Sequence, residues 1–203
     1  DIYSVDLRDE MQLAGLISFL NQLENGVHIF VNNAGKSIRR SFFYSLDRYQ
    51  DFTRTMAINY NAPVQLILSL TPSLRKNKGH IVNVSAANVL LTPSPRWSAY
   101  QASKAAFDQW FRSVASELNA VNVATTSIYL PLVKTRMIEP TVHYRNKPAM
   151  KPEHVAKIIC RYMLSRRRTY KQWWIAVTEF LCVPLRPLIE YFFIKKNQKE
   201  KRV

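Results

Sequence analysis

Three short apolar runs, at residues 27–31 (VHIFV), 80–84 (HIVNV) and 123–130 (VATTSIYL), are separated by segments long enough to hold helices. Runs of this kind bury both faces, and strands joined by a helix-length crossover pair in parallel. The intervening segments have helical character. Residues 11–23 place apolar side chains at 13, 16, 17, 20 and 23, a helical face. Residues 46–74 form a long helical stretch in which Pro63 and Pro72 mark a bend, a restart or a stop. Residues 98–118 are helical, Pro131 ends the third run, and Pro152-Glu153 opens a further helix through residue 163. Residues 2–5 have the composition of a strand end running into Asp6-Leu7. The alternation predicts an α/β fold built on a doubly wound parallel sheet. Such sheets bind ligands at the carboxyl ends of their strands. Asp6, Asn32, Asn33, Ser85 and Thr135 all follow predicted strands.

Charge divides the chain in two. Residues 1–133 carry 12 Lys and Arg against 9 Asp and Glu, whereas residues 134–203 carry 17 against 5. The net charge of +15 therefore belongs mostly to the last third, and the chain divides into a domain over residues 1–165 and a basic, aromatic segment over 166–203. Residues 173–194 are apolar and aromatic, flanked by Arg166-Arg167-Arg168 and by Lys195, Lys196, Lys199, Lys201 and Arg202. Glu179, Pro184, Arg186, Pro187 and Glu190 interrupt the run, which excludes a spanning helix of about 20 apolar residues. An interfacial segment at an anionic lipid surface fits better; a terminal helix over a substrate cleft, or a dimer contact, is the alternative. No groove-reading motif accompanies the charge, so nucleic acid is not expected as a partner. Cys160 and Cys182 form no disulfide framework and no Cys/His group has zinc spacing, so no metal is expected and a reducing, cytoplasmic setting is.

The chemistry centres on Tyr100-Gln101-Ala102-Ser103-Lys104. Residues four apart share a helix face, so the Lys104 ammonium can stand near the Tyr100 hydroxyl. A neighbouring cation favours the phenolate and brings a phenol that titrates near ~10 toward acid–base work. An exposed Tyr and Lys on an amphipathic helix would look the same in isolation.

Other residues stand in a matching order: Asp6, Asn32-Asn33-Ala34-Gly35, Asn59, Ser85, Tyr100 with Lys104, then Pro131 and Thr135. Over about residues 1–165 the chain resembles the short-chain dehydrogenase/reductase superfamily. The stretches Asn32 to Ser41, Tyr129 to Thr135 and Lys151-Pro152-Glu153 are similar to its bacterial fatty acyl-CoA reductase branch. The resemblance implies a Rossmann-like sheet lacking the first βαβ portion, and a nicotinamide cofactor, NADP ahead of NAD. In the family's layout the residues that discriminate the two lie upstream of Asp1. It also implies hydride transfer to a lipid carbonyl, most concretely fatty acyl-CoA to fatty aldehyde; a homo-oligomer is expected, and the composition of 166–203 adds a peripheral membrane contact to the expectation. The alternatives are a dehydrogenase of a lipid alcohol or ketone, and a non-catalytic member that binds lipid or a partner.

By the same resemblance Tyr100 donates a proton, Lys104 lowers its pKa and holds the nicotinamide ribose, and Ser85 binds the developing oxyanion. Asn59 sits at a helix irregularity and supports a proton relay. Asp6, Leu7, Asn32, Ala34, Gly35, Tyr100, Lys104, Pro131, Val133 and Thr135 line the cofactor cleft. Residues 135–151 take the place of the substrate loop, with Met137, Ile138, Val142 and Tyr144 as an apolar lining and Arg136, Arg145 and Lys147 for coenzyme A phosphates. Two departures stand out. Fifteen residues separate Ser85 from Tyr100, and the second position of the family's usual Ser-Ser pair is Ala86. The chain has four glycines and no glycine-rich phosphate turn, so an enzyme complete in this chain alone is not expected, and neither is a true start at Asp1.

Overall fold

The computed structural model describes residues 2–139, 141, 144 and 146–200. Asp1, Val142, Arg145, Lys201 and Arg202 lie outside the described residues. The elements in order are α1 (Glu10–Asn21), β1 (Ile29–Asn32), α2 (Tyr49–Met56), a π turn (Ala57–Asn61), α3 (Ala62–Lys76), β2 (His80–Ala86), α4 (Ser98–Ala120), β3 (Ala124–Leu130), α5 (Pro152–Ser165), β4 (Thr169–Lys171), α6 (Trp173–Cys182) and α7 (Arg186–Glu200).

All four strands are parallel, in the order β1-β2-β3-β4. The period of two along β2 sends successive side chains to opposite faces. Ile81 packs with Ile67, Leu70 and Leu74 of α3 and with Phe107 and Phe111 of α4. Val82 and Val84 pack on the other side with Ile128, Leu130, Val155 and Ile158. Helices cover both faces, a Rossmann-like arrangement.

Three differences from the sequence expectation have physical causes. Residues 2–6 form no strand and Ile2 is fully exposed, because no strand among the described residues offers their backbone a partner. Where the sequence offers a bend, a restart or a stop at Pro63, the helix neither stops nor restarts: a π turn carries α2 on into α3. Pro63 has no N–H to give to the carbonyl four residues back, and the Ala62 N–H reaches the Ala57 carbonyl, five residues back. The segment 166–203 does not lie wholly outside the domain: Thr169–Lys171 is the fourth strand, and Ile175 of α6 is fully buried.

Candidate active site

The carboxyl half of β2 meets the amino-terminal half of α4. Here Lys104 is buried, with its Nζ donating to the Val84 carbonyl at 3.4 Å. Burial pushes its pKa down to about 8, because an ammonium out of water loses hydration that one carbonyl does not replace. Tyr100, one turn earlier, is pushed up to about 12, chiefly by burial and further by the neighbouring Tyr144. Burial sets the direction of the Tyr100 shift, no contribution from Lys104 enters it, and the phenol holds its proton across the neutral range. Trp97, missed from sequence, completes an aromatic wall. Its ring meets Tyr100 edge-on at 6.0 Å and stacks on Tyr144 at 5.5 Å.

Asn59 lies in the π turn and is almost fully buried. It accepts from the Lys36 N–H at 2.8 Å, and donates to the Lys36 carbonyl at 2.8 Å and to the Ser103 hydroxyl at 2.9 Å. It thereby ties the loop after β1 to α4. Ser103 in turn donates to the Tyr100 carbonyl at 2.8 Å. Gly35 belongs to the same cluster: a Cβ there would stand 3.3 Å from Asn59 Oδ1 and 3.5 Å from Lys104 Nζ. Sequence reasoning missed Lys36 and Ser103, although Ser103 lies within the quoted Tyr-to-Lys segment.

Asn32 ends β1 and donates to Asn83 Oδ1 at 3.3 Å. The Asn83 amide nitrogen is buried without a partner, an orphan donor midway along β2 and beside the end of β1. Ser85 is buried and pairs in register with Tyr129. It shares a face with Ile81, which packs on α3 and α4, so the hydroxyl is on the side of α4. Ala86 pairs with Leu130, whose side chain packs with α5.

The remaining expected residues lie outside this bonded cluster. Asp6 is partly exposed and ion-paired with Arg8, whose hydrogen bonds hold the carboxyl at about 2. Leu7 packs beside Leu13 and Leu66. Ala34 is exposed beside Gly35, and Pro131 follows β3, partly buried. Val133 bridges to Met150, and the exposed Thr135 bonds to it through the backbone at 2.9 Å.

A parallel sheet with a Tyr/Lys helix at its carboxyl edge is the arrangement of a nucleotide-cofactor oxidoreductase fold. The sequence model described as short chain dehydrogenase matches residues 1–146, and the chain belongs to that family. It is 41% identical over 166 residues to a fatty acyl-CoA reductase of Acinetobacter baylyi, covering 81% of this chain and 56% of that protein. A fatty acyl-CoA reductase of Mycobacterium tuberculosis is 40% identical over 165 residues, covering 81% and 55% respectively. The chain thus spans about half the length of the curated relatives it matches. A short-chain dehydrogenase from Sphingobium yanoikuyae, solved in complex with NADPH, superposes with a TM-score of 0.77 at 18% identity, over 93% of this chain and 74% of its own.

Proposed function

We propose that this chain carries the carbonyl-reducing centre of a nicotinamide-dependent reductase acting on a lipid, most concretely on a fatty acyl-CoA to give the aldehyde. The observation that carries the reading is Tyr100 one helical turn from a buried Lys104, on a helix tied to the π turn by the Asn59–Ser103 bond. The 41% and 40% identities to proteins named fatty acyl-CoA reductase support the substrate.

The residues present fit the nicotinamide and its ribose. Lys104 has one long bond to a carbonyl and can donate to sugar hydroxyls, Gly35 leaves open the space that a side chain would crowd, and Asn83 has an amide nitrogen unspent. The glycines, at 15, 26, 35 and 79, do not have the spacing of a pyrophosphate turn. When bound, the cofactor supplies hydride, NADP being preferred over NAD. Tyr100 holds the proton destined for the carbonyl oxygen, and a phenol near 12 keeps it at neutral pH; with an acyl-CoA the carbon–sulfur bond then breaks, and that proton leaves with the coenzyme A thiol as the aldehyde forms. Ser85 supplies a second donor for charge developing on that oxygen. Lys104 remains mostly charged at pH 7 and stabilises negative charge beside Tyr100. Asn59 holds the loop and helix in register and offers its carbonyl side to a proton relay. Asp6, Leu7, Asn32, Ala34, Pro131, Val133 and Thr135 form the rest of the proposed cofactor cleft. The reading includes a homo-oligomer in the cytoplasm, meeting the lipid surface where long-chain substrates partition.

A lipid ketone or alcohol would use the same donors, and the product separates the two readings. In the full-length protein, Tyr100→Phe should abolish aldehyde release from a long-chain acyl-CoA with NADPH. Unchanged turnover would remove Tyr100 from the chemistry. A full-length wild type that binds lipid without turning it over would favour the non-catalytic reading.

A further inference from the structure

Helix α6 is anchored on one side and bare on the other. Ile175 is fully buried, and Lys171 pairs with Glu179 at 2.5 Å, holding the helix against β4. At 100° per residue, Trp173, Val177 and Phe180 fall on a stripe opposite Ile175. All three are exposed, Trp173 by 79% and Phe180 by 78%, and no charged residue interrupts the stripe. The apolar surface continues through Val183 and Leu185 into α7, where Leu188, Tyr191, Phe192 and Ile194 are exposed.

A second region joins it. Ile194 lines a cavity of about 1760 Å³ together with Phe42, Phe43 and Tyr44 of the loop after β1. The other wall is Gln101, Ala102 and Ala105 of α4, the side away from Tyr100 and Lys104. Arg39, Arg48 and Arg96 line the same cavity. Lys195, Lys196 and Lys199 follow the apolar half of α7, and Arg166 to Arg168 precede β4. The exposed aromatic side chains of α6 and α7 therefore belong to the third of the chain that holds 17 basic against 5 acidic residues, and Phe42 and Phe43 share the cavity with Ile194.

From this juxtaposition we infer that α6 and the first half of α7, with Phe42 and Phe43 beside them, dock on an anionic bilayer surface. Trp173, Phe180 and Phe192 enter the headgroup boundary, and the lysines meet lipid phosphate and carboxylate groups. The charge selects this occupant: a second copy would bring another cationic face against the first, whereas an anionic membrane matches it. No helix among the described residues is long and apolar enough to cross a membrane, so the contact is with the surface. The inference extends the lipid-substrate reading, and its test measures no turnover, so either can fail while the other stands.

The test is flotation of the full chain with vesicles of phosphatidylcholine alone and of phosphatidylcholine with phosphatidylserine, at low and high salt. Strong flotation with the anionic vesicles, weak flotation with the neutral ones and release by salt are expected. Trp173→Ser with Phe180→Ser, and separately Lys195→Gln with Lys196→Gln and Lys199→Gln, should each weaken anionic binding by about tenfold or more. All replaced side chains are exposed, and circular dichroism checks that the fold is retained. Absent flotation with anionic vesicles at low salt would overturn the inference, as would flotation of the Trp173/Phe180 variant equal to wild type. So would sedimentation showing a vesicle-free dimer that the same variant abolishes, because the face would then belong to a second copy.

Discussion

Asn59 donates to the Ser103 hydroxyl at 2.9 Å, a buried bond between the π turn and the helix that bears Tyr100 and Lys104. Asn59→Ala removes that bond and both bonds to the Lys36 backbone. The stranded buried groups should lower stability by roughly 2–3 kcal/mol, read as a shift in the urea midpoint. Asn59→Asp keeps the acceptor for the Lys36 N–H but loses both donors, and should recover only part of the loss.

Lys104 titrates near 8 and Tyr100 near 12. On the proposed reading, reductive turnover should therefore hold up to about pH 8 and fall above it, as Lys104 loses its charge while Tyr100 still holds its proton. Lys104→Arg, whose guanidinium stays charged throughout, should move the break upward even where it lowers the rate. A pH–rate profile of NADPH consumption checks both, and an unmoved break would separate it from Lys104.

Gly79→Ala should be costly although the residue lies far from the site. A Cβ there would stand 2.7 Å from the His28 carbonyl, which accepts from His80 N–H at 2.8 Å in the β1–β2 pairing, and 2.8 Å from Leu74. Backbone cannot swing aside as a side-chain tip can. A loss of about 1–3 kcal/mol is expected from chemical denaturation.

His80 is fully buried between the Met163 carbonyl, 3.1 Å from Nδ1, and the Thr126 hydroxyl, 2.8 Å from Nε2. Burial lowers its pKa below 6.5, outweighing the Met163 bond that favours the charged form. The unfolded chain therefore takes up a proton near pH 6.5 that the folded chain refuses. Stability should decline as pH falls through that value, by at most about 1.4 kcal/mol per pH unit from this one group. Urea midpoints across this range, compared with those of His80→Asn, measure the contribution.

Much of this molecule is legible from local pattern. The three apolar runs became β1, β2 and β3 to within two residues, and the helix over α4 follows from its spacing alone. The strand β4 was hidden because it is only three residues long and follows three arginines. Charge beside an edge strand costs little in water and hides the strand from a hydrophobicity pattern. The state of Tyr100 was hidden for another reason. Sequence places Lys104 near it, but the burial that decides both pKa values is set by the fold, with Trp97 and Tyr144 beside Tyr100 and with Gly35 and Val84 beside Lys104. Likewise, the side of the sheet occupied by Ser85 depends on pleat and register, which pair it with Tyr129 rather than with the helix α5 side.

The π turn at Ala57–Asn61 carries one residue more per turn than the helices it joins. It rotates everything after it relative to everything before it. That offset lets one rod serve two neighbours: α2 packs on α4, whereas α3 packs on α1. A single-residue deletion within 57–61 would restore an ordinary helix and turn one half away from its neighbour by about 100°. Substitutions on the rod's solvent side should be tolerated freely, but a change of length there should not, so the segment's residue count is under tighter constraint than most of its residue identities.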